Sequence, residues 1–353
     1  MLRLNLPDKA LSNLRFAYSP MLELTISYRV LRGNWQEATY WRWLDEAKRA
    51  TSDTAFPYMD NLITPGKLVK GAKRSIPSGY IPDFLTPTPS QPITDIEDEF
   101  SRLQDLDPDI VRECIQYLIF LAGPNDILCD FLTYPRDGME KLIIELREYW
   151  NRTLAHHWNR MIAVLENDIL YHSRVLTLNG IGGLFPALND LIGYDSGTVT
   201  VDWSRKNCES RHLETPQVEQ PHKPDKILDV QGDQFNLVPV IFAANGIYFQ
   251  VAEPWLPMIL YTPRGAGLWN YETPEPMEAL ELVMGAGKSR ILMALETPFS
   301  TGELARKLSL TSGAVSQQLG KLHQAGLVES HRSGKHVFYR LSQRGAQLVS
   351  LFC

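Results

Sequence analysis

Apolar positions return every three to four residues through much of the first half of the chain, the spacing that turns one helix face toward a core. Ser19-Pro20 opens the first such run, with a hydroxyl able to cap and a proline in the first turn, ahead of Leu22, Leu24, Tyr28 and Leu31. A second amphipathic helix is predicted from Trp35 to Ala50, with Tyr40, Trp41, Trp43 and Leu44 as its stripe. From Thr51 to Pro92 the chain is rich in proline and glycine and weakly periodic, which predicts short helices and loops. Helical spacing resumes from Asp109 to Leu121 through Val111, Cys114, Ile115 and Leu118. It then runs from about Gly138 to Tyr171, where Leu142, Leu146, Trp150, Leu154, Trp158, Met161 and Leu165 predict the centre of an N-terminal body. Gly180, Gly182 and Gly183 predict a break before a short helix around Phe185 to Leu191.

After Asp195 the period shortens. Thr198 to Trp203 alternates as a strand does, and Cys208 to Lys226 is polar and proline-containing, hence a loop. Phe235 to Ile241, Gly246 to Val251 and Met258 to Tyr261 are short strand-like runs separated by Asn, Gly and Pro. The expected architecture is α+β: a mainly helical body over residues 1–195, a small, mostly antiparallel sheet over 196–273 packed on it, and a third region over 274–353 entered through a linking helix, Met277 to Val283.

That third region carries the sharpest local signals. Lys288 to Leu295 reads as a short helix, and Ser300 with Glu303 has capping-box spacing ahead of Leu304, Ala305 and Leu308. About three residues on, Thr311 caps a second helix that buries Val315, Leu319 and Leu322 and closes at Gly326. Such spacing is that of a helix-turn-helix, whose second helix enters the major groove. Its outer face would present Ser312, Gly313, Ser316, Gln317, Gly320 and Lys321: small residues permit close approach, Gln317 can pair with adenine, and Lys321 can neutralise a phosphate. "GLVESHRSGKHVFYRLS" follows as strand, tight turn and strand, with Val328, Val337, Tyr339 and Leu341 inward. Arg332, Lys335, His336 and Arg340 on that hairpin complete a candidate double-stranded-DNA surface, the order being that of a winged helix-turn-helix. A last short helix is predicted from Gly345.

Charge sharpens this division. The net charge is −6, but residues 285–353 carry +6 and the remainder −12, which puts the polyanion-binding character in the C-terminal module alone. The chain's 4 cysteines, Cys114, Cys129, Cys208 and Cys353, show no CxxC spacing, which fits a reducing cytoplasm. Its apolar runs are too short and interrupted to span a bilayer, so no membrane partner is expected.

Through "STGELARKLSLTSGAVSQQLGKLHQAGLVESHRSGKHVFYRLS" the segment from about Leu282 to Leu351 resembles the ArsR/SmtB-type winged-helix transcriptional regulators. The resemblance implies a homodimeric repressor of palindromic operators with Ser312 to Lys321 as recognition helix. Metal-sensing members place a Cys-x-Cys pair on the helix before the turn, where this chain has "ELARKL", and the terminal Asp and His ligands are missing from "SQRGAQLVSLFC". The rest resembles a long N-terminal extension found in a subset of bacterial regulators of this type, through "FNLVPVIFAANGIYFQVAEPWLPMILYTPRGAGLWN".

Other motifs in the chain fall short of a chemical site. "GAGKS" at Gly285 to Ser289 lacks the first glycine of a phosphate loop, and the segment before it reads as helix rather than strand. His156 and His157, adjacent on an expected helix, should point about 100° apart and not share one ion. Cys208, His212 and His222 offer soft ligands in one loop without a fourth group. Asp95, Glu97, Asp98 and Glu99 read as a solvated acidic surface. Trp41, Trp43, Trp150, Trp158, Trp203, Trp255 and Trp269 either fill a large core or line a pocket for a small organic effector. The expectation is therefore a non-enzymatic, cytoplasmic, homodimeric repressor without metal or cofactor, a small organic effector being its further partner. The alternative makes the body an enzyme or sensor, with the winged helix as attachment or protein-interaction domain.

Overall fold

The computed structural model describes residues 1–33, 38–63, 81–202, 226–244, 246–251, 253–270, 276–295, 297–333 and 336–350. The chain divides into two compact units, Met1–Asn270 and Tyr271–Cys353. Among the described residues no helix is long and apolar enough to cross a membrane.

In the first unit, β1 (Leu2–Asn5), α1 (Asp8–Ser12) and β2 (Leu14–Phe16) precede α2 (Pro20–Arg32), α3 (Trp41–Ala50) and α4 (Pro57–Leu62). Then come α5 (Ile96–Gln104), α6 (Pro108–Ala122), α7 (Asp126–Thr133), α8 (Pro135–Thr153) and α9 (Trp158–Leu188). Among the described residues six strands follow: β3 (Ile192–Asp195), β4 (Thr198–Val201), β5 (Lys226–Asp229), β6 (Phe235–Pro239), β7 (Ile247–Gln250) and β8 (Met258–Tyr261). The predicted start of the second helix at Trp35 and the loop with Cys208, His212 and His222 lie outside the described residues, as does Trp203.

The caps read from sequence form as expected at α2, where the Ser19 hydroxyl accepts from Leu22 N at 3.1 Å. Yet α2, rather than the later helices, is the element enclosed on every side. Its polar residues Glu23, Thr25, Ser27 and Arg29 are buried along with its apolar ones. Each finds a partner, as burial of a polar group requires. Thr25 Oγ1 donates to Leu85 O at 2.9 Å, Ser27 Oγ lies 3.0 Å from Tyr149 OH, and Arg29 Nη2 donates to Tyr248 OH at 2.9 Å. Glu23 accepts from the amides of Ile241 at 2.6 Å and Phe242 at 3.3 Å. The expected continuous helix from Gly138 is two helices, α8 and α9, separated by a 3-10 turn at Ala155–His157. The break expected at the glycines is present: Gly180 is non-helical (φ 66°, ψ −171°), so α9 is kinked there and a second helical segment runs on to Leu188.

The α+β class holds, but the small sheet is two mixed sheets of 4 strands each, in orders β3-β4-β1-β5 and β2-β6-β8-β7. β1 is antiparallel to β4 and parallel to β5. In the second sheet β2 and β8 both run parallel to β6, and β7 is antiparallel to β8. The parallel pairings of β1 with β5 and of β2 with β6 arise because the chain's first sixteen residues supply a strand to each sheet, crossing over to segments more than two hundred residues later. One core packs α2–α8 with Phe242 and Trp269, and a second packs both sheets against the end of α9 through Leu184, Phe185 and Leu188. Trp43, Trp150 and Trp269 are core residues, whereas Trp41 is 56% exposed.

In the second unit, α10 (Pro276–Met284) and α11 (Ala286–Ala294) precede β9 (Phe299–Ser300), α12 (Thr301–Leu308) and α13 (Ser312–Gln324). β10 (Val328–Ser333), β11 (His336–Leu341) and α14 (Gln343–Ser350) complete it. The element before "GAGKS" is helical, so the strand-loop-helix of a phosphate loop is not the local geometry. Ile291, Leu292, Leu304, Val315, Leu319, Leu322, Val328 and Val349 form its core.

Candidate nucleic-acid interface

Two local devices set α12 and α13 at a fixed turn. Ser300 and Glu303 close a reciprocal capping box: the Ser300 hydroxyl accepts from Glu303 N at 3.4 Å, while Ser300 N donates to Glu303 Oε2 at 2.7 Å. At the other end of α12, Ser309 adopts a left-handed conformation (φ 58°) and Leu310 N returns to Ala305 O at 2.9 Å. Thr311 then starts α13, its hydroxyl accepting from Ala314 N at 3.2 Å. The three residues from Ser309 to Leu310 and Thr311 are thus the whole turn.

Burial divides α13 as the sequence reading expected. Val315, Leu319 and Leu322 are buried, and Thr311, Ser312, Gly313, Ser316, Gln317, Gly320 and Lys321 are exposed. Gly313, Ser316, Gln317 and Gly320 follow one another at helical spacing, so they form a single stripe. A Cβ placed on Gly313 or Gly320 would meet no atom within 4 Å. Packing within the unit therefore does not demand these glycines; what they supply is a low surface that lets a partner approach the helix backbone. The first turn of α13 also offers the positive end of its peptide dipoles, favourable to an anion.

The wing is a three-stranded sheet in the order β10-β11-β9. Its third strand, only two residues long, pairs Ser300 with Phe338 and Phe299 with Tyr339, and was not legible in the sequence. Register then sorts the wing's predicted residues. Arg332 lies opposite Val337, on the face that carries Val328, Tyr339 and Leu341, while Arg340 lies on the other face with Glu329, His331 and Phe338. The structure thus does not gather the basic set on one side of the hairpin. Arg340 also pairs with Glu329, directly across the ladder, at 2.9 Å, so its charge is locally compensated. His331, exposed on the Arg340 face, is a polar group that the sequence reading passed over, although two-residue alternation from Arg340 back across the tip points to it. Val337, expected inward, is 38% exposed because the hairpin runs past the helices that form the core. Lys335, at the tip, lies outside the described residues. On α12, exposed Lys307 sits over the Phe299 ring at 4.5 Å.

This geometry can be set beside known proteins. The family model described as bacterial regulatory protein, arsR family, matches residues 286–330, which take in α11, α12, α13 and the start of β10. The biofilm growth-associated repressor of Agrobacterium fabrum is 38% identical over 111 residues, covering 27% of this chain and 95% of the relative. The biofilm growth-associated repressor of Xylella fastidiosa is 42% identical over 64 residues, 17% of this chain and 56% of the relative. Among solved structures, reduced HlyU from Vibrio cholerae matches with 33% identity over 21% of this chain and 83% of its own, at a TM-score of 0.18. A helix-turn-helix with the family's model laid across it, together with a repressor matched over nearly its full length, gives one conclusion: the chain belongs to the arsR family of bacterial regulatory proteins.

Proposed function

We propose that the chain is a DNA-binding transcriptional repressor in which α13 reads the major groove and the β10–β11 hairpin lies along the backbone or minor groove beside it. The observation that carries the reading is the exposed stripe of Gly313, Ser316, Gln317 and Gly320 on a helix capped by Thr311 and braced by α12. On this reading Gln317 contacts a base edge, Ser312, Ser316 and Thr311 reach bases or phosphates, and Lys321 neutralises a phosphate. Arg332, Lys335, His336 and Arg340 serve the wing, with Arg340 exchanging Glu329 for a phosphate on binding. Two copies related by a two-fold axis would meet half-sites about 34 Å apart, or a multiple of that distance, on a palindromic operator in the cytoplasm. The N-terminal unit, non-enzymatic on this reading, would receive a small organic effector that biases the DNA-competent state.

The test is selection of genomic fragments by the purified full chain at near-physiological salt, followed by titration of the enriched site. In a dimer, Lys321→Ala removes a phosphate contact from each copy and lowers the slope of log K against log salt by about 1.8. Gln317→Ala relaxes preference at one base pair per half-site and costs about 1–3 kcal/mol per pair lost. A chain with both substitutions that binds the selected site as tightly as the parent, with the same salt slope, refutes the assignment of this face.

A further inference from the structure

Adjacent residues on an α-helix diverge, as His156 and His157 would on a continuous one. The chain does not place them on one: they end the 3-10 turn that joins α8 to α9, and their ring centroids are 4.0 Å apart. Glu46, on α3 and more than a hundred residues earlier, brings one carboxylate oxygen to each ring. His156 Nε2 lies 2.8 Å from Glu46 Oε1, and His157 Nε2 lies 3.3 Å from Glu46 Oε2. All three donor groups fall within 4.8 Å of one another.

We propose that Glu46, His156 and His157 form a binding site for a first-row divalent cation of the Zn²⁺ class, with three protein donors and a fourth position left to water. Tetrahedral bonds of about 2.0–2.1 Å put neighbouring donors roughly 3.3 Å apart, which the Glu46–His157 pair already matches at 3.3 Å, while the Glu46–His156 pair at 2.8 Å must open slightly and the widest pair, within 4.8 Å, must close. Two imidazoles and a carboxylate are ligands of matching character for such an ion.

The protonation states favour the same chemistry. Burial pulls His157 below the usual histidine range, and the neighbouring His156 adds to this. The positive end of α9 acts in the same sense. A neutral imidazole is the form that ligates a metal. For Glu46, partial burial acts to raise the carboxyl, but the hydrogen bond from His156 and the two imidazoles beside it outweigh this and hold it below its ordinary value.

The surroundings combine support with access. Trp43, three residues before Glu46, donates from Nε1 to Thr153 O at 3.0 Å and so ties α3 to the last turn of α8. His157 is backed by the Trp269 ring, 5.1 Å away and edge-on. The side chains of His156 and Glu46 are 47% and 43% exposed, which leaves the open position facing solvent. The site lies wholly in the first unit and does not depend on the DNA-binding assignment.

The test is titration of the chelator-treated full chain with Zn²⁺ near pH 7.5 against a chromophoric competitor. A saturable equivalent is expected, weakened at least tenfold by His156→Ala and by Glu46→Gln, each checked for unchanged circular dichroism. Glu46→Gln keeps the side chain's shape, so it reports on ligation even where His156→Ala perturbs folding. A triple variant, Cys208→Ser with His212→Ala and His222→Ala, should retain that equivalent. No saturable binding by the parent, or binding that survives both single substitutions and disappears in the triple variant, overturns the proposal.

Discussion

Replacing Glu23 by Gln should change how the stability of the N-terminal unit depends on pH, and the size of the change follows from where the carboxyl sits. Glu23 is enclosed within α2's packing and touches the Ile241–Ala243 turn through two backbone amides. Burial drives its pKa from 4.5 up to about 8, against the lowering effect of those two amides. A carboxyl whose folded pKa is raised binds its proton more tightly folded than unfolded. Its contribution is therefore greatest below pH 4.5 and is lost as pH rises through about 8. Between roughly pH 5.5 and 8.5 the linkage amounts to about 3 kcal/mol. Glutamine cannot titrate, so the Glu23→Gln chain keeps only a constant offset from its altered hydrogen bonds, and all other groups cancel in the comparison. Urea unfolding of the two proteins across that range is the assay. Tryptophan fluorescence is a suitable probe because Phe242, in the turn that Glu23 holds, packs against Trp43 at 4.5 Å and Trp269 at 5.7 Å. The parent should lose about 3 kcal/mol relative to the variant as pH rises. A difference that stays flat to within about 0.5 kcal/mol would show that the buried carboxyl keeps an ordinary pKa and would refute the reasoning.

The second unit yields two further expectations. Ser300→Ala removes the hydroxyl half of the capping box and should cost about 1 kcal/mol, read as a lower thermal midpoint for the transition that includes α12; an unchanged midpoint would deny the cap its role. Gly345→Ala drives a methyl group into the Leu327 carbonyl oxygen, so α14 must shift away from the start of β10, at a cost of about 1–3 kcal/mol by denaturant unfolding. Retention of parental stability there would mean that α14 is free to move.

What the sequence disclosed and what it hid divide by the range of the interactions. Ser300 with Glu303 and Thr311 with Ala314 act over three residues, so the start of both helices could be read directly. The buried and exposed faces of α13 follow from one period of 3.6 and were equally plain. By contrast β1, β2 and β9 are two to four residues long, too short to show alternation, and their pairing partners lie far along the chain or across a hairpin. The central place of α2 was concealed because Glu23 and Arg29 look like a solvated face until Ile241, Phe242 and Tyr248 are brought to them. His156 and His157 depended on a break in helical geometry at Leu154 that no proline or glycine announces. Glu329 and Arg340 were the intermediate case: once the tip is placed, counting outward along both strands makes them opposite neighbours.

The bent helix α9 has its own physical result. Its early turns insert Met161 and Leu165 into one core, and beyond Gly180 it inserts Leu184, Phe185 and Leu188 into the other. Across the bend, His172 reaches forward to the Ala187 carbonyl at 3.2 Å and back to Asp168, which also accepts from Tyr261 OH and Arg264 N. The two cores are therefore strung on one rod whose joint is latched from inside. A force that loosens either end must open the latch or carry the other end with it, so the first unit behaves mechanically as a single body with two hearts rather than as two modules in tandem.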